Sequence, residues 1–334
     1  MKKSLLALAA LTAFAGAASA QSSVTLFGVV DLNAREVKNG SAGSIKSLSQ
    51  DGNASSRLGF RGVEDLGGGL RAGFWIEGAL QPDVGNAAGQ TWQRRSTVSL
   101  LGGFGEIRLG RDYTPTFWNH TVFDPFGTNG VASSNNIFAF PAAWLAGTQV
   151  RANNTIGYFL PAMGGLYGQV QVAAGEAVTG NKYFGGRIGY GAGPVNVAVA
   201  YGVTEQTGAM TDDVTEMNVA GSYNLGFMTL FAQYNQAEQG PSEVKHWMLG
   251  VSVPVGAGTI KATYGEAEYG SPKANQIGVG YTYDLSKRTT VYAHVAQVDN
   301  DAGLRFTAGA GGPSAAAING FKSTGYEFGL RHSF

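Results

Sequence analysis

The 334-residue chain contains no cysteine, so disulfides, Cys-ligated metals and thiol redox chemistry are all excluded. It also lacks long apolar runs. Past residue 20 no stretch of 18 apolar residues occurs, and mean hydropathy is −0.04, which rules out helical membrane spans. Charge is sparse and balanced, with charged residues at 14 % and 23 basic against 23 acidic side chains; nothing in that balance calls for nucleic acid or an anionic membrane surface as partner. No GK[ST] phosphate loop, no GxGxxG between a strand and a helix, and no GxSxG is present. The four histidines, His120, His246, His294 and His332, show no pair at metal-ligand spacing, and neither a metal nor a cofactor is expected.

What is present begins with a leader. Residues 1–20 combine Lys2 and Lys3, an apolar stretch from Leu5, and small residues at Ala18 and Ala20, the pattern of a cleaved signal peptide. Its removal takes two basic residues and no acidic one, leaving residues 21–334 at a formal charge of −2. Glycine, at 51 residues, is about twice its usual share. At that density helices are weakened, whereas a tilted sheet gains bends and tight turns.

Alternating segments of about ten residues recur along the mature chain. They fall near 24–33, 54–63, 70–80, 91–101, 105–111, 150–160, 166–174, 182–191, 195–203, 214–224, 227–237, 244–254, 259–267, 274–284, 289–299 and 324–334, sixteen in all. Seven short connections alternate with longer ones near 34–53, 81–90, 112–149, 175–181, 204–213, 238–243, 268–273 and 300–323. Tight turns at one end and loops at the other are the layout of an outer-membrane barrel. The pattern predicts an all-β fold, a 16-stranded antiparallel transmembrane β-barrel with both termini on the turn side, where the first and last strands pair and close the sheet. Val195, Val197, Val199 and Tyr201, or Ile277, Val279, Tyr281 and Tyr283, suit lipid; their alternates are small or polar. The last nine residues put Tyr326, Phe328, Leu330, His332 and Phe334 on one face.

A barrel this wide cannot be filled by its own side chains and should enclose water unless something plugs it. The segment from Asp112 to Gln149 is too long for a structureless loop and carries Tyr113, Phe117, Trp118, Phe123, Phe126, Phe138, Phe140 and Trp144. Such a loop must pack on something. Folding into the lumen as a constriction loop is the preferred expectation; packing against a neighbouring subunit is the alternative.

The segments Ser23–Asp31 (SVTLFGVVD), Ser56–Leu70 (SRLGFRGVEDLGGGL), Gly103–Arg111 (GFGEIRLGR), Arg151–Asn154 (RANN) and Gly329–Phe334 (GLRHSF) give the chain a resemblance, over its whole length, to Gram-negative general diffusion porins of the beta-proteobacterial type. The resemblance implies a homotrimer in the outer membrane, surrounded by lipid and lipopolysaccharide, and a C-terminal strand ending on Phe334 that is read by the outer-membrane assembly machinery. It also implies a ladder of wall arginines at the constriction, which matches Arg57, Arg94 and Arg151, opposite acidic groups of the inward loop. The acidic side is thin: Asp124 is the best-placed carboxylate, Asp112 lies at the loop's start, and residues 112–149 contain no glutamate. Arg95 is adjacent to Arg94 and would point to the opposite side of an unbulged strand, so only one of the pair should line the constriction. Arg108 and Arg111 read equally well as lumen residues paired to a carboxylate or to loop backbone.

Arginine stays charged at any working pH, and fixed guanidinium groups in a narrow neck concentrate anions. The expected function is a passive channel for small hydrophilic solutes and ions, weakly anion-selective, without catalysis. Two other classes remain in view at this point: a barrel acting as adhesin or receptor through its loops, and a barrel hydrolase using Glu266 and Glu268, which share a strand face but have no evident His or Ser partner.

Overall fold

The computed structural model describes residues 23–87, 91–141, 144, 147–206, 212–309 and 312–334; the leader at 1–20 lies outside them. The described chain forms one closed antiparallel sheet. Its strands are β1 (Ser23–Asn39), β2 (Ser44–Gln50), β3 (Arg57–Gly67), β4 (Leu70–Ala79), β5 (Arg95–Gly102), β6 (Gly105–Tyr113), β7 (Arg151–Phe159), β8 (Leu166–Ala173) and β9 (Lys182–Ala192). They continue as β10 (Val195–Glu205), β11 (Val214–Asn224), β12 (Thr229–Gln239), β13 (Ser242–Val255), β14 (Gly258–Tyr269), β15 (Lys273–Asp284), β16 (Thr289–Asn300) and β17 (Lys322–Ser333). From β3 onward each strand pairs with the next, and β1 pairs with β17 to close the sheet. β2 and β3 together occupy one position beside β1, with Leu32 opposite Gln50 and Val29 opposite Arg57, so the barrel has sixteen staves.

Closure is complete to the last residue. Val29 opposes Ser333 and Glu36 opposes Tyr326, and beyond them the Phe334 N–H donates to the Gly28 carbonyl at 3.1 Å while Gly28 N–H donates to the Phe334 carbonyl at 3.0 Å. The seam thereby pairs strand edges that lipid would otherwise leave open. Alternation sets the faces: Val197, Val199, Tyr201, Leu249, Ile277, Val279, Tyr326 and Phe328 stand exposed on the outside, while Ala198, Ala200, Met248 and Glu327 are buried inside. Phe104, Tyr223, Phe227, Tyr283 and Phe334 are exposed near the turn end, where an aromatic girdle belongs in a bilayer.

Three expected loops are shorter than the sequence suggested. The segment 34–53 is mostly sheet, because β1 runs on to Asn39 and β2 returns from Ser44. Its outward positions carry polar residues such as Glu36, Lys38 and Lys46, and so lack the apolar alternation that marks a strand. Likewise 238–243 and 268–273 are tight connections between β12 and β13 and between β14 and β15, with Gly240 at φ 55° and Gly270 at φ 71° making the reversals. The length contrast between the two ends is carried by the remaining long connections.

The long connection after β6 folds into the lumen. It opens with the helix α1 (Pro115–Val122), whose proline at the first turn supplies the fixed φ of a helix start. The buried side of the loop, including Phe123, Phe126, Val131, Ile137, Phe138 and Trp144, packs on inward faces of the wall from β10 round to β17. Polar ties fix it there: Asn119 Nδ2 donates to Asn218 Oδ1 at 2.7 Å, Gln276 Nε2 donates to the Ser133 carbonyl at 3.0 Å, and Val131 N–H donates to Glu327 Oε1 at 3.2 Å.

Candidate functional site

With the loop against one side of the lumen, the open space lies between α1 and the wall of β3 to β9. It is a cavity of about 820 Å³. Six arginines line it, Arg57, Arg94, Arg95, Arg108, Arg151 and Arg187, against two carboxylates, Glu77 and Asp112, a formal excess of four positive charges.

Strand alternation brings most of these groups inward. Glu77 and Trp75 share the inner face of β4, Arg95 begins β5, Arg108 and Asp112 lie on β6, and Arg187 on β9. Glu77 sits between two cations: its Oε1 is 2.6 Å from Arg94 Nε and 3.9 Å from Arg57 Nε, and Trp75 Nε1–H donates to its other oxygen at 3.1 Å. Asp112 Oδ2 is 2.6 Å from Arg108 Nη1 and 3.8 Å from Arg95 Nε. Arg108 is held further by Glu106 at 2.8 Å, so it is the carboxylate-paired residue that one reading of the sequence allowed. Arg111 is absent from the cavity lining and bonds the Gln93 carbonyl and Asn153 Oδ1, each at 2.6 Å.

Arg151 has no carboxylate partner among the described residues; its Nε–H donates to the Arg94 carbonyl at 2.8 Å and its guanidinium lies 4.2 Å from the centre of the Tyr113 ring. The same device recurs, with Arg95 over Trp75 at 4.6 Å, Arg108 over Phe159 at 3.9 Å and Arg187 over Tyr167 at 4.7 Å. Each ring attracts the cation with its face and restricts the long side chain. The charges are therefore fixed to the wall instead of sweeping the lumen.

The structure places Arg57, Arg94 and Arg151 together on the cavity wall. Arg95 joins them, so both members of the pair line the cavity where alternation allowed one. Arg94 lies just outside β5, in the segment that precedes it, where strand parity does not apply; its N–H donates to the Glu77 carbonyl at 3.1 Å. Asp124 is elsewhere. It is 5 % exposed, and its carboxylate accepts from Phe126 N–H at 2.8 Å, Ser134 N–H at 3.0 Å and Ser134 Oγ–H at 2.6 Å, so it staples the loop internally instead of facing the arginines. A signal for this was available, since Asp before Pro-Phe-Gly is turn chemistry in which the side chain bonds backbone two residues on. Sequence reasoning also passed over Glu77 and Trp75 on β4 and Arg187 on β9. Their signal was the charged or aromatic residue recurring on the inward parity of otherwise unremarkable strands.

Elsewhere in the loop, His120 is buried, with its Nε2 2.9 Å from Asn135 Oδ1 and 3.0 Å from Ser134 Oγ. Burial pushes its pKa below the ordinary histidine value, with the nearby Asp124 carboxylate acting against that shift. Glu266 and Glu268 stand at the loop end of β14, both in contact with Lys273 Nζ, Glu266 at 3.0 Å.

Comparison with known proteins agrees with this architecture. A profile described as Gram-negative porin matches residues 7–303. Outer membrane porin protein 32 of Delftia acidovorans is 40 % identical over 358 aligned residues, spanning 100 % of both chains. The solved anion-selective porin from Comamonas acidovorans superimposes with a TM-score of 0.85 at 38 % identity, over 94 % of this chain and 100 % of that one. The trimer form of OmpT from Vibrio cholerae, at 15 % identity, shares the fold with a TM-score of 0.68, over 94 % of this chain and 99 % of that one. A sixteen-stave closed barrel, a loop folded into its lumen and a porin profile across most of the sequence place the chain in the family of Gram-negative porins, barrels of the outer membrane.

Proposed function

We propose that the protein is a passive, weakly anion-selective diffusion channel for small hydrophilic solutes and ions. The observation that carries this reading is the cavity beside α1, where six guanidinium groups meet two carboxylates in a lumen narrowed by one loop. Fixed positive charge in a low-dielectric neck raises the local concentration of anions and repels cations, while several weak sites in series permit exit. Arg57, Arg94 and Arg151 set the preference; Glu77 moderates it by neutralising part of the Arg57–Arg94 pair. Asp124 acts only through the shape of the loop. The name of the Comamonas acidovorans relative, an anion-selective porin, supports the same sign of selectivity.

The long loop lies inward beside an open cavity, which favours a channel over a barrel that acts through its external loops. The Lys273 contacts of Glu266 and Glu268 favour a structural over a hydrolytic role. The chain is exported by its leader at 1–20 and assembles as a homotrimer among lipid and lipopolysaccharide, a reading supported by the trimer form described for OmpT. Phe334, paired with Gly28 at the end of the seam, serves as the assembly signal of the last strand. Liposome swelling tests the channel: vesicles holding the purified protein should swell in small neutral sugars at rates that fall with solute size. Vesicles that stay as tight as protein-free controls would contradict it.

A further inference from the structure

The cavity has a second character besides its charge. The solvent-facing side of α1 presents Trp118 at 40 % exposure and Val122 at 36 %, both lining the lumen, where the loop of a channel for hydrophilic solutes would be expected to offer polar groups. Trp118 is not isolated from the basic wall. Its ring centre is 5.6 Å from that of Tyr113, and Tyr113 in turn carries the Arg151 guanidinium over its face and accepts from Arg94 Nη2 at 3.4 Å. The lumen thus holds a fixed guanidinium arc that passes, through one tyrosine, into an exposed indole and a valine.

We infer that the constriction favours amphipathic monocarboxylates, and aromatic carboxylates above all: the carboxylate is received by Arg151, which has no carboxylate partner among the described residues, while the ring lies against Trp118 and Val122. This rests on the channel reading above and narrows its solute class. Guanidinium matches carboxylate geometry with paired N–H donors, and an exposed indole offers a face for stacking and an apolar area that water covers poorly. Neither half binds tightly, because both lie in a wet lumen; passage is retained and its rate is biased. A polar carboxylate of equal size gains only the first half. An exposed aromatic contact of this kind corresponds to about a two- to fivefold preference.

The test is bi-ionic reversal potentials across planar bilayers for the purified porin, comparing benzoate with threonate, which has the same number of heavy atoms, each measured against chloride. The expected result is a benzoate-to-threonate permeability ratio about two- to fivefold above their ratio of aqueous mobilities, falling to the mobility ratio in Trp118→Ser and retained in Trp118→Phe. Val122→Ser, a smaller change on the same helix face, should lower the ratio in part. A wild-type ratio equal to the mobility ratio would overturn the inference while leaving the channel intact, as would an elevated ratio that Trp118→Ser does not change. Absence of any conductance would instead remove the channel reading on which it rests.

Discussion

The two halves of the barrel wall use the same strand alternation for opposite ends. From β10 to β17 many inward positions are small, among them Ala198, Ala220, Gly278, Gly280, Ala296 and Gly325, and the constriction loop occupies the space they leave. A Cβ at Gly278 would stand 2.8 Å from Ala132 Cβ, and one at Gly280 would stand 2.8 Å from Phe126 Cε1, closer than real side chains approach. From β3 to β9 the inward positions include Arg57, Trp75, Glu77, Arg95, Arg108, Tyr167 and Arg187, which line the cavity; the loop reaches them at Arg187, whose Nε–H donates to Asn119 Oδ1 of α1 at 2.7 Å. Side-chain volume on one half decides where the loop rests, and charge on the other half decides what the remaining space admits.

The sharpest way to break the comparison is at the seam, where Glu327 holds the loop to the small-residue half. Its Oε2 is 2.9 Å from Arg35 Nη2 and its Oε1 is 2.9 Å from His294 Nδ1, with Val131 N–H on the same oxygen. Glu327→Ala leaves Arg35 buried without a countercharge and should destabilise the folded barrel by about 3–5 kcal/mol, read as a lowered unfolding midpoint in denaturant. Next in size, Gly278→Val overpacks the contact with Ala132 and should cost about 1–3 kcal/mol, with irregular single-channel currents as the loop is displaced. Gly73→Val, on the inward parity of the open half, meets only the flexible Leu101 Cδ1 at 3.3 Å and should leave conductance steady.

Acid provides a gentler perturbation of the same loop. His120 has its pKa lowered by burial, so the unfolded chain binds a proton more readily than the folded one. The stability this group allows is present in full above its unfolded pKa of about 6.5 and declines as pH falls below that value. Current noise should therefore grow between neutral pH and pH of about 5, and His120→Gln should flatten that rise. A small change of selectivity is expected on the open half: Glu77→Gln removes one of the cavity's two carboxylates and should raise anion-over-cation permeability about twofold, measured from reversal potentials.

The staves were legible because a lipid face and a wet face impose a two-residue period on each of them. The legibility ended where one of those two environments was missing. Beyond Ala34 the β1–β2 hairpin rises past the lipid, so residues such as Glu36, Lys38 and Lys46 carry no apolar alternation and read as loop. Arg57 and Arg151 open strands, and the family's motifs alone placed them on the wall. Arg94 and Arg95 could not be separated, because one lies in a strand and the other just outside it, and each reaches the lumen by a different route. Asp124 was misplaced because a carboxylate that bonds its own turn has the same sequence appearance as one that faces a pore. Trp118 could be seen as apolar, but only the orientation of α1 reveals that it faces water while Phe117 beside it is buried.

The central claim is that the guanidinium groups lining the cavity on the open half set the sign of selectivity. Its most direct measurement is the zero-current potential of the porin in a potassium chloride gradient, for the native protein and for Arg57→Ser/Arg94→Ser/Arg151→Ser. The account predicts a potential of anion-preferring sign in the native channel and a loss of about tenfold in chloride-over-potassium permeability in the triple variant. A cation-preferring native channel, or an anion preference that survives the triple substitution unchanged, would contradict it.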